Sequence, residues 1–338
     1  MYDVTVVLMD DGYASTAIAP IEIFHSAGAL YAQLKGEAPS PQFRVTTVSI
    51  TGKPVTSPYG VKLSPSASMD EVTKTDIVVV PTSGLELDGK LIENSALSPW
   101  LKNLHAGGAY VAGVCMGAAY LAEAGLLDGR IGTTHWALIA EFERRWPKVK
   151  WRGDLMVTEE QRLLCSGGVC ASMDVSLYLV EKLCGHQIAV QTAKSLNFHM
   201  PRVHQSGYAV LPFSPPHEDA RIRVAEQHLQ THYRDALSVE ALAERAAMSV
   251  RNFVRRFKAA TGRMPGAYLQ AVRIETAKAM LERDGAPVQR VASEVGYEDV
   301  AFFRALFKRA TGMNPADYRA RFAIRSVRMP ESVDLSNV

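Results

Sequence analysis

The 338-residue chain should fold as an α/β domain whose mostly parallel sheet carries helices on both faces. An all-α domain with two helix-turn-helix units should follow it. Apolar, β-rich runs alternate with helical stretches over the first two hundred residues. In the last third, a pattern that runs from Arg256 to Tyr268 returns 50 positions later, from Leu306 to Tyr318. Charge divides between the two parts. From Glu218 onward there are 20 basic and 15 acidic residues, against 17 and 20 before it, within a net charge of +2. That asymmetry suits a nucleic-acid module joined to something else.

The runs Val4–Met9, Phe43–Ile50, Thr75–Val80 and Tyr110–Val114 read as buried strands, and their alternation with helices implies a parallel sheet covered on both sides. Ligands of such sheets sit beyond the carboxyl ends of the strands. Three loops converge there: Asp10-Asp11-Gly12, Pro81-Thr82-Ser83-Gly84 and Cys115-Met116-Gly117. The third, Gly113-Val114-Cys115-Met116-Gly117, joins a strand to a helix expected over Ala118–Glu123. It is the cysteine form of a nucleophile elbow, in which small flanking residues permit a strained turn that lifts the side chain toward a pocket. Free N–H groups and the dipole of the helix would favour a thiolate there. Ser166-Gly167-Gly168-Val169 is expected to follow another strand and supply a wall, whereas Cys165, Cys170 and Cys184 read as packing residues.

From Pro201 to Ala220, Pro and Gly without helical periodicity mark a linker with a closing segment. The domains expected are 1–200, a linker over 201–220, an all-helical part over 221–322 and a tail over 323–338. The helical units fall at about 238–260 and 287–310. In the first unit Ser249 is a good N-cap. Phe253 and Phe257 share a buried face, and Arg251, Arg255, Arg256, Lys258 and Arg263 make the stretch basic without an acidic residue. In the second, Gly296 takes the turn, Asp299 caps, Phe303 and Phe307 bury, and Arg304, Lys308 and Arg309 carry charge. A short helix, a tight turn and a basic second helix form the arrangement that sets the second helix in the major groove. Pro265–Arg283 reads as a connecting helix. At 1.5 Å per residue its length of roughly 27 Å approaches one turn of DNA at about 34 Å.

Residues from about Arg221 to Phe322 resemble the DNA-binding domain of the AraC/XylS family of transcriptional regulators. The likeness is sharpest from Val291 through Gly296-Tyr297-Glu298-Asp299 to Thr311-Gly312 and Pro315-Ala316-Asp317-Tyr318-Arg319. By position, it implies base reading by Ser249, Arg251, Asn252 and Arg255, and by Asp299, Val300, Ala301 and Arg304. Arg256, Lys258 and Lys308 are further DNA-contact candidates. Where the family usually has Arg, this chain has Ala305, with Arg304 where a small residue is usual, so the first unit is expected to read bases more strongly.

Residues 3 to about 199 resemble the PfpI/ThiJ superfamily, of glutamine-amidotransferase-like and hence flavodoxin-like fold. The motifs are Val114-Cys115-Met116-Gly117-Ala118, Ala122 to Arg130, and Thr133-Thr134-His135-Trp136. The domain order is that of the GlxA-type subgroup, in which this domain is fused to an AraC-type one. The resemblance also implies what is missing. Proteases of the superfamily place His directly after the Cys, where this chain has Met116. Active members keep an acid four residues before the Pro of the first loop, where this chain has Thr16 ahead of Pro20. Thiol chemistry needs an oriented base or acid beside the sulfur, and losing that help costs about 10²–10⁴-fold.

The expectation is therefore a regulator whose vestigial elbow at Cys115 lines a sensor cleft, not an enzyme. Asp11, Thr16, Thr82, Ser83, Cys115, Met116, His135 and Trp136 are the candidate ligand residues. Tyr13, Tyr59 and Trp151 are aromatics that could lie nearby, with packing the better reading for the last two. The resemblance suggests an amino-acid derivative or a quaternary amine as effector, which an aromatic wall would suit. The alternative is a thiol-dependent hydrolase or lyase with a DNA-binding tail. Expected partners are double-stranded DNA, a small-molecule effector, RNA polymerase and a second copy of the chain as homodimer. The four cysteines lack metal or disulfide spacing, which suits a reducing cytoplasm, and the expectation is of no metal and no cofactor. The absence of a basic, apolar leader and of an 18-residue apolar run points to the cytoplasm and away from a membrane.

Overall fold

A computed structural model of the protein describes residues 1–84, 86–209, 214–215, 217–283 and 285–323. The chain divides into two compact units, with the boundary after Ala209. Residues 201–209, expected to open a linker, belong to the first unit. Phe213 and the tail beyond Ala323 lie outside the described residues.

The first unit is built on a sheet of seven described strands: β1 (Tyr2–Val7), β2 (Phe43–Ser49), β5 (Ala67–Ser68), β6 (Ile77–Val80), β7 (Tyr110–Val114), β10 (Val157–Glu160) and β11 (Leu163–Ser166). Two small ladders complete the strand set, β3 (Val55–Thr56) with β4 (Lys62–Leu63), and β8 (Ile131–Gly132) with β9 (Lys150–Trp151). The sheet order is β10-β11-β7-β6-β1-β2-β5, parallel except for the edge hairpin of β10 with β11. Val4, Val6 and Val7, Ile77–Val80, and Val111 with Val114 are buried, as strands covered on both faces require. The expected strand over 75–80 begins later, at Ile77. The Thr75 hydroxyl and the Asp76 carboxylate instead bind Asp3 at the strand's start.

The helices of this unit are α1 (Ser15–Ser26), α2 (Leu30–Leu34), α3 (Leu87–Glu93), α4 (Leu97–Ala106), α5 (Gly117–Glu123), α6 (Ile139–Arg145), α7 (Ala171–Cys184) and α8 (His186–Ser195). α1, α7 and α8 pack on one another, while α3 and α4 pack with α5. The chain reverses direction across the sheet at β1, whose neighbours are β2 and β6. Crevices form at such a reversal, outside the carboxyl ends of the strands. β1, β6 and β7 all end there, so the three loops singled out in the sequence share one rim.

The second unit holds seven described helices: α9 (Ala220–Thr231), α10 (Val239–Arg245), α11 (Val250–Thr261), α12 (Pro265–Arg283), α13 (Val288–Glu294), α14 (Val300–Thr311) and α15 (Pro315–Phe322). The repeat is a repeat of contacts. Phe253 and Phe257 lie 5.5 Å apart by ring centroid, and Phe303 and Phe307 lie 5.8 Å apart. Each pair's second ring meets a tyrosine edge-on, Tyr268 at 5.4 Å and Tyr318 at 5.3 Å. Each long helix ends alike. The Thr261 and Thr311 hydroxyls donate to the carbonyls of Phe257 and Phe307, and Gly262 and Gly312 follow with φ of 74° and 75°. Two small cores result, and α12 enters both: Val272 packs in the first and Ile274 in the second.

Each core is small, so one aromatic ring is a large share of it. Phe257→Ala or Phe307→Ala should cost about 3–5 kcal/mol in chemical denaturation of the full chain. A loss below about 1 kcal/mol in either would contradict the packing described.

Candidate functional site

The elbow is set by close approach of helix to strand. A side chain on Gly117 would come within 2.1 Å of the Val80 carbonyl, and one on Gly113 within 2.7 Å of the Ala118 nitrogen. Only glycine lets α5 start this near β6 and β7. Cys115 between them takes φ of 54°, a conformation that costs a non-glycine residue roughly 1–3 kcal/mol. The Cys115 N–H donates to the Ser166 carbonyl at 3.0 Å, and its carbonyl accepts from the Thr134 hydroxyl at 2.8 Å, so both peptide groups are anchored.

The thiol itself is enclosed. Cys115 is 6% exposed. Burial pushes its pKa up, against lowering contacts from the Thr82 hydroxyl and the main-chain N–H groups of Met116 and His135. The strained turn therefore does not lift the side chain into a pocket as expected. Loops 82–83 and 133–135 close over the sulfur first. Thr16 is fully buried, donates to the Tyr13 carbonyl at 2.6 Å and accepts from the Thr82 N–H at 3.2 Å. In place of a carboxylate it pins α1 to the second loop. Thr82, Ser83 and Met116 are buried as well. Asp11 is drawn off by Lys90 of α3 at 2.8 Å.

The open space lies on the other side of His135. A cavity of about 300 Å³ is lined by His135, Trp136, Met156, Gly168–Ala171, Arg202, Gln205 and Tyr208. Of the eight residues expected at a ligand, His135 and Trp136 are in its wall. His135 Nδ1 accepts from the Ala137 N–H at 3.1 Å, which leaves Nε2 to carry the proton of the neutral ring, and burial pulls its pKa down. To the sulfur, His135 offers its main-chain N–H. Tyr13 and Thr82 line a much smaller gap near Met9 and Pro81. Tyr59 donates no ring to the larger cavity and instead accepts from the Ala14 N–H at 2.8 Å. Trp151 is core, edge-on to Phe142.

Arg202, Gln205 and Tyr208 were not singled out in the sequence. Asp174 on α7 is fully buried, and the Arg202 guanidinium meets both its oxygens through Nε and Nη2. Arg202 also lies over the Tyr208 ring, 5.4 Å from its centroid. Gln205 is buried. Its amide donates to the Thr133 hydroxyl and to the carbonyls of Thr134 and Leu155, and its oxygen accepts from the Trp136 N–H. The available signal was faint: a lone Asp inside an apolar helix needs a cation from somewhere.

In the second unit, Arg251, Arg255 and Lys258 stand exposed on α11, and Arg304 and Lys308 on α14. Among the described residues none of them has an acidic partner within 4.0 Å. Arg255 donates to the Asn252 side chain at 2.9 Å. Ser249 and Asp299 are the N-caps, with Asp299 accepting from the N–H groups of both Ala301 and Phe302. Ala301 is exposed and Val300 half-buried. Arg256 sits differently from its neighbours, because it forms a two-pronged pair with Asp219 at the start of α9, at 2.9 and 2.8 Å. Phe302, passed over in the sequence, is 54% exposed. Phe303 and Phe307 take the buried face, which turns its neighbour outward.

An α/β domain with a cysteine elbow, followed by a duplicated helix-turn-helix domain of the AraC type, is the class these features define. The chain belongs to the DJ-1/PfpI family, whose model matches residues 4–182, and a helix-turn-helix domain model matches residues 242–321. It is 26% identical over 297 residues to the HTH-type transcriptional regulator CdhR of Pseudomonas aeruginosa, covering 84% of each chain. It is 30% identical over 177 residues to the isonitrile hydratase of Pseudomonas putida, covering 51% of this chain and 73% of that one. A putative transcriptional regulator from Vibrio parahaemolyticus shares the fold at a TM-score of 0.51 and 20% identity, covering 58% of this chain and 98% of that one. No described helix is long and apolar enough to cross a membrane.

Burial also orders the cysteines by reactivity. Cys170 is exposed, Cys115 is buried with a raised pKa, and Cys165 is pushed up to about 12 by complete burial. A raised pKa leaves less thiolate at any given pH. Iodoacetamide at about pH 8 should label Cys170 first, and Cys115 and Cys165 only on unfolding. Equal labelling of Cys115 and Cys170 by mass spectrometry would contradict the enclosed thiol.

Proposed function

We propose that the protein is a sequence-specific DNA-binding transcriptional regulator whose α/β unit senses a small molecule beside the elbow. The observation that carries the DNA half is the pair of contact-for-contact equivalent units, each presenting exposed basic side chains on its second helix. Arg251 and Arg255 near the start of α11 are the base readers of the first unit. Lys258 and Lys308 are phosphate contacts, and Ser249 and Asp299 serve as caps that aim the helices. Arg256, held by Asp219, positions α11. The likeness to CdhR, a named transcriptional regulator, supports this reading.

The sensing half rests on the cavity beside His135 and Trp136, with a neutral thiol alongside. An effector acts only through different affinities for two states of the regulator. Its readout would pass to DNA occupancy in the cytoplasm, through a homodimer and contact with RNA polymerase.

A second reading is favoured by one observation, the strained Cys115 turn, together with the likeness to an isonitrile hydratase. The raised thiol pKa, Thr16 and Met116 weigh against it. Turnover of an isonitrile by the purified protein, lost in Cys115→Ser, would establish that reading in place of pure sensing.

The test of the main reading is binding to promoter fragments against bulk competitor DNA, titrated with salt. Arg255→Ala should cost about 1–3 kcal/mol and relax preference at one base position. Lys308→Ala should weaken all sequences alike and reduce the salt slope by about 1. No preference for any fragment would defeat the regulator reading, and an equal loss on all DNA for Arg255→Ala would defeat its base-reading role.

A further inference from the structure

We infer that the cavity beside the elbow is a carboxylate site, and that the effector is a small organic acid whose body lies against Trp136 and Tyr208. The inference rests on the sensing reading above and names the ligand's charge.

The wall chemistry is one-sided. Among the lining residues there is no acidic side chain, while Arg202 brings a guanidinium to the surface of the cavity. Asp174 occupies Nε and one side of Nη2, and the Tyr208 hydroxyl accepts from Nη1 at 3.3 Å. A guanidinium has five N–H donors, so Nη1 and Nη2 each keep one. The other polar groups donate too. The neutral His135 ring carries its proton on Nε2, because Nδ1 is engaged by the Ala137 N–H. Gly168, Val169 and Cys170 line the cavity, and their main-chain N–H groups have no partner among the described residues.

The two neutral side-chain oxygens of the wall are engaged, since the Gln205 oxygen takes the Trp136 main-chain N–H and the Tyr208 hydroxyl takes Arg202 Nη1. Rings then supply the rest of the wall: Trp136, stacked against His135 at 5.0 Å between centroids, and Tyr208. An anionic head with two oxygens fits donors on two sides, and a flat or apolar body fits the rings. A bare cation would meet a guanidinium and no counter-charge. Cys170, at the N-cap of α7, has no side-chain cap bond, and the acidic side chain of the first turn, Asp174, is taken by Arg202, so the start of that 14-residue helix faces the cavity without a capping side chain.

Calorimetric titration of the full-length protein, without DNA, tests this with benzoate, its uncharged counterpart benzamide, and inorganic phosphate. Benzoate should bind at millimolar concentration and raise the melting temperature. Benzamide, which offers one acceptor and no charge, should bind at least roughly tenfold more weakly. Cys170→Asp places a carboxylate at the wall on a residue type that helix N-caps favour, so the protein should fold and lose benzoate binding by at least roughly tenfold. Arg202→Gln combined with Asp174→Asn removes the guanidinium without stranding a buried charge, and should also lose benzoate.

Benzamide binding as well as benzoate, or benzoate binding unchanged in both variants, would overturn the carboxylate assignment and leave the sensing reading standing. So would phosphate binding as tightly as benzoate, which would mark a site for any oxyanion. Binding of neither benzoate nor benzamide at millimolar concentration would overturn it as well. The regulator reading is judged separately, by the DNA titration, which uses none of these probes.

Discussion

A carboxylate with no access to water decides where the cavity beside His135 can form. Asp174 sits within α7 at zero exposure, the one charged side chain that this helix buries, beside Val175, Leu177, Leu179 and Val180. An unpaired charge there would cost several kcal/mol, so the fold must bring a cation to it. Arg202 comes from 28 residues further on, and the chain must follow it. The Val203 carbonyl then accepts from the Met156 N–H, and the Gln205 N–H donates to the Asp154 carbonyl. Gln205 is delivered between Thr133, Thr134 and Leu155, and Tyr208 closes the wall. One ion pair thus turns what reads as a linker into a side of the cavity. It also explains why the cavity's surface is cationic: the same guanidinium that neutralises Asp174 has N–H groups to spare.

The second unit is organised by repetition, and repetition is legible in a way that this pairing is not. Phe253 and Phe257, or Phe303 and Phe307, are four apart, and that spacing alone places both on one helical face. Thr and Gly at the end of each helix state where it stops. The connecting helix runs over Pro265–Arg283, the span its pattern implies. These features need only a few residues of context. The ties between elements need the fold. Arg256 looks like one more basic side chain of α11 until Asp219 arrives 37 residues upstream to hold it. Arg273 of α12 donates to the carbonyls of Tyr233, Asp235 and Gly296, so one side chain fastens the end of α9 and the turn of the second unit to the connecting helix. No periodicity announces either contact.

The α/β unit divides along the same line. The four long apolar runs and the elbow were legible because hydrophobic continuity and a Gly-flanked Cys are local signals. The short strand Ala67–Ser68 and β10 were not, because two to four residues carry too little pattern, and β11 was anticipated only as a strand ahead of Gly167 without its hairpin partner. The candidate ligand residues on the loops were brought to one rim, yet most point inward. Thr16, Thr82, Ser83, Cys115 and Met116 fill the floor of the crevice, and the space lies beyond them toward His135. Loop position predicts neighbourhood. It does not predict which side chain faces solvent, since that depends on how tightly the loops close on one another.

That closure also explains how the strained elbow is held. The strained conformation at Cys115 is held from both sides by Ser166 and Thr134, and by the glycine-dependent approach of α5 to Val80. The turn thereby joins β7, β11, α5 and the 133–135 segment into one rigid corner. His135 belongs to this corner through its main-chain N–H at the sulfur, and to the cavity through its ring. Across the cavity lies the 201–208 segment, which Arg202, Gln205 and main-chain bonds to Asp154 and Met156 join to the rest of the unit. That segment is also the last stretch of the α/β unit before the chain passes to the second one.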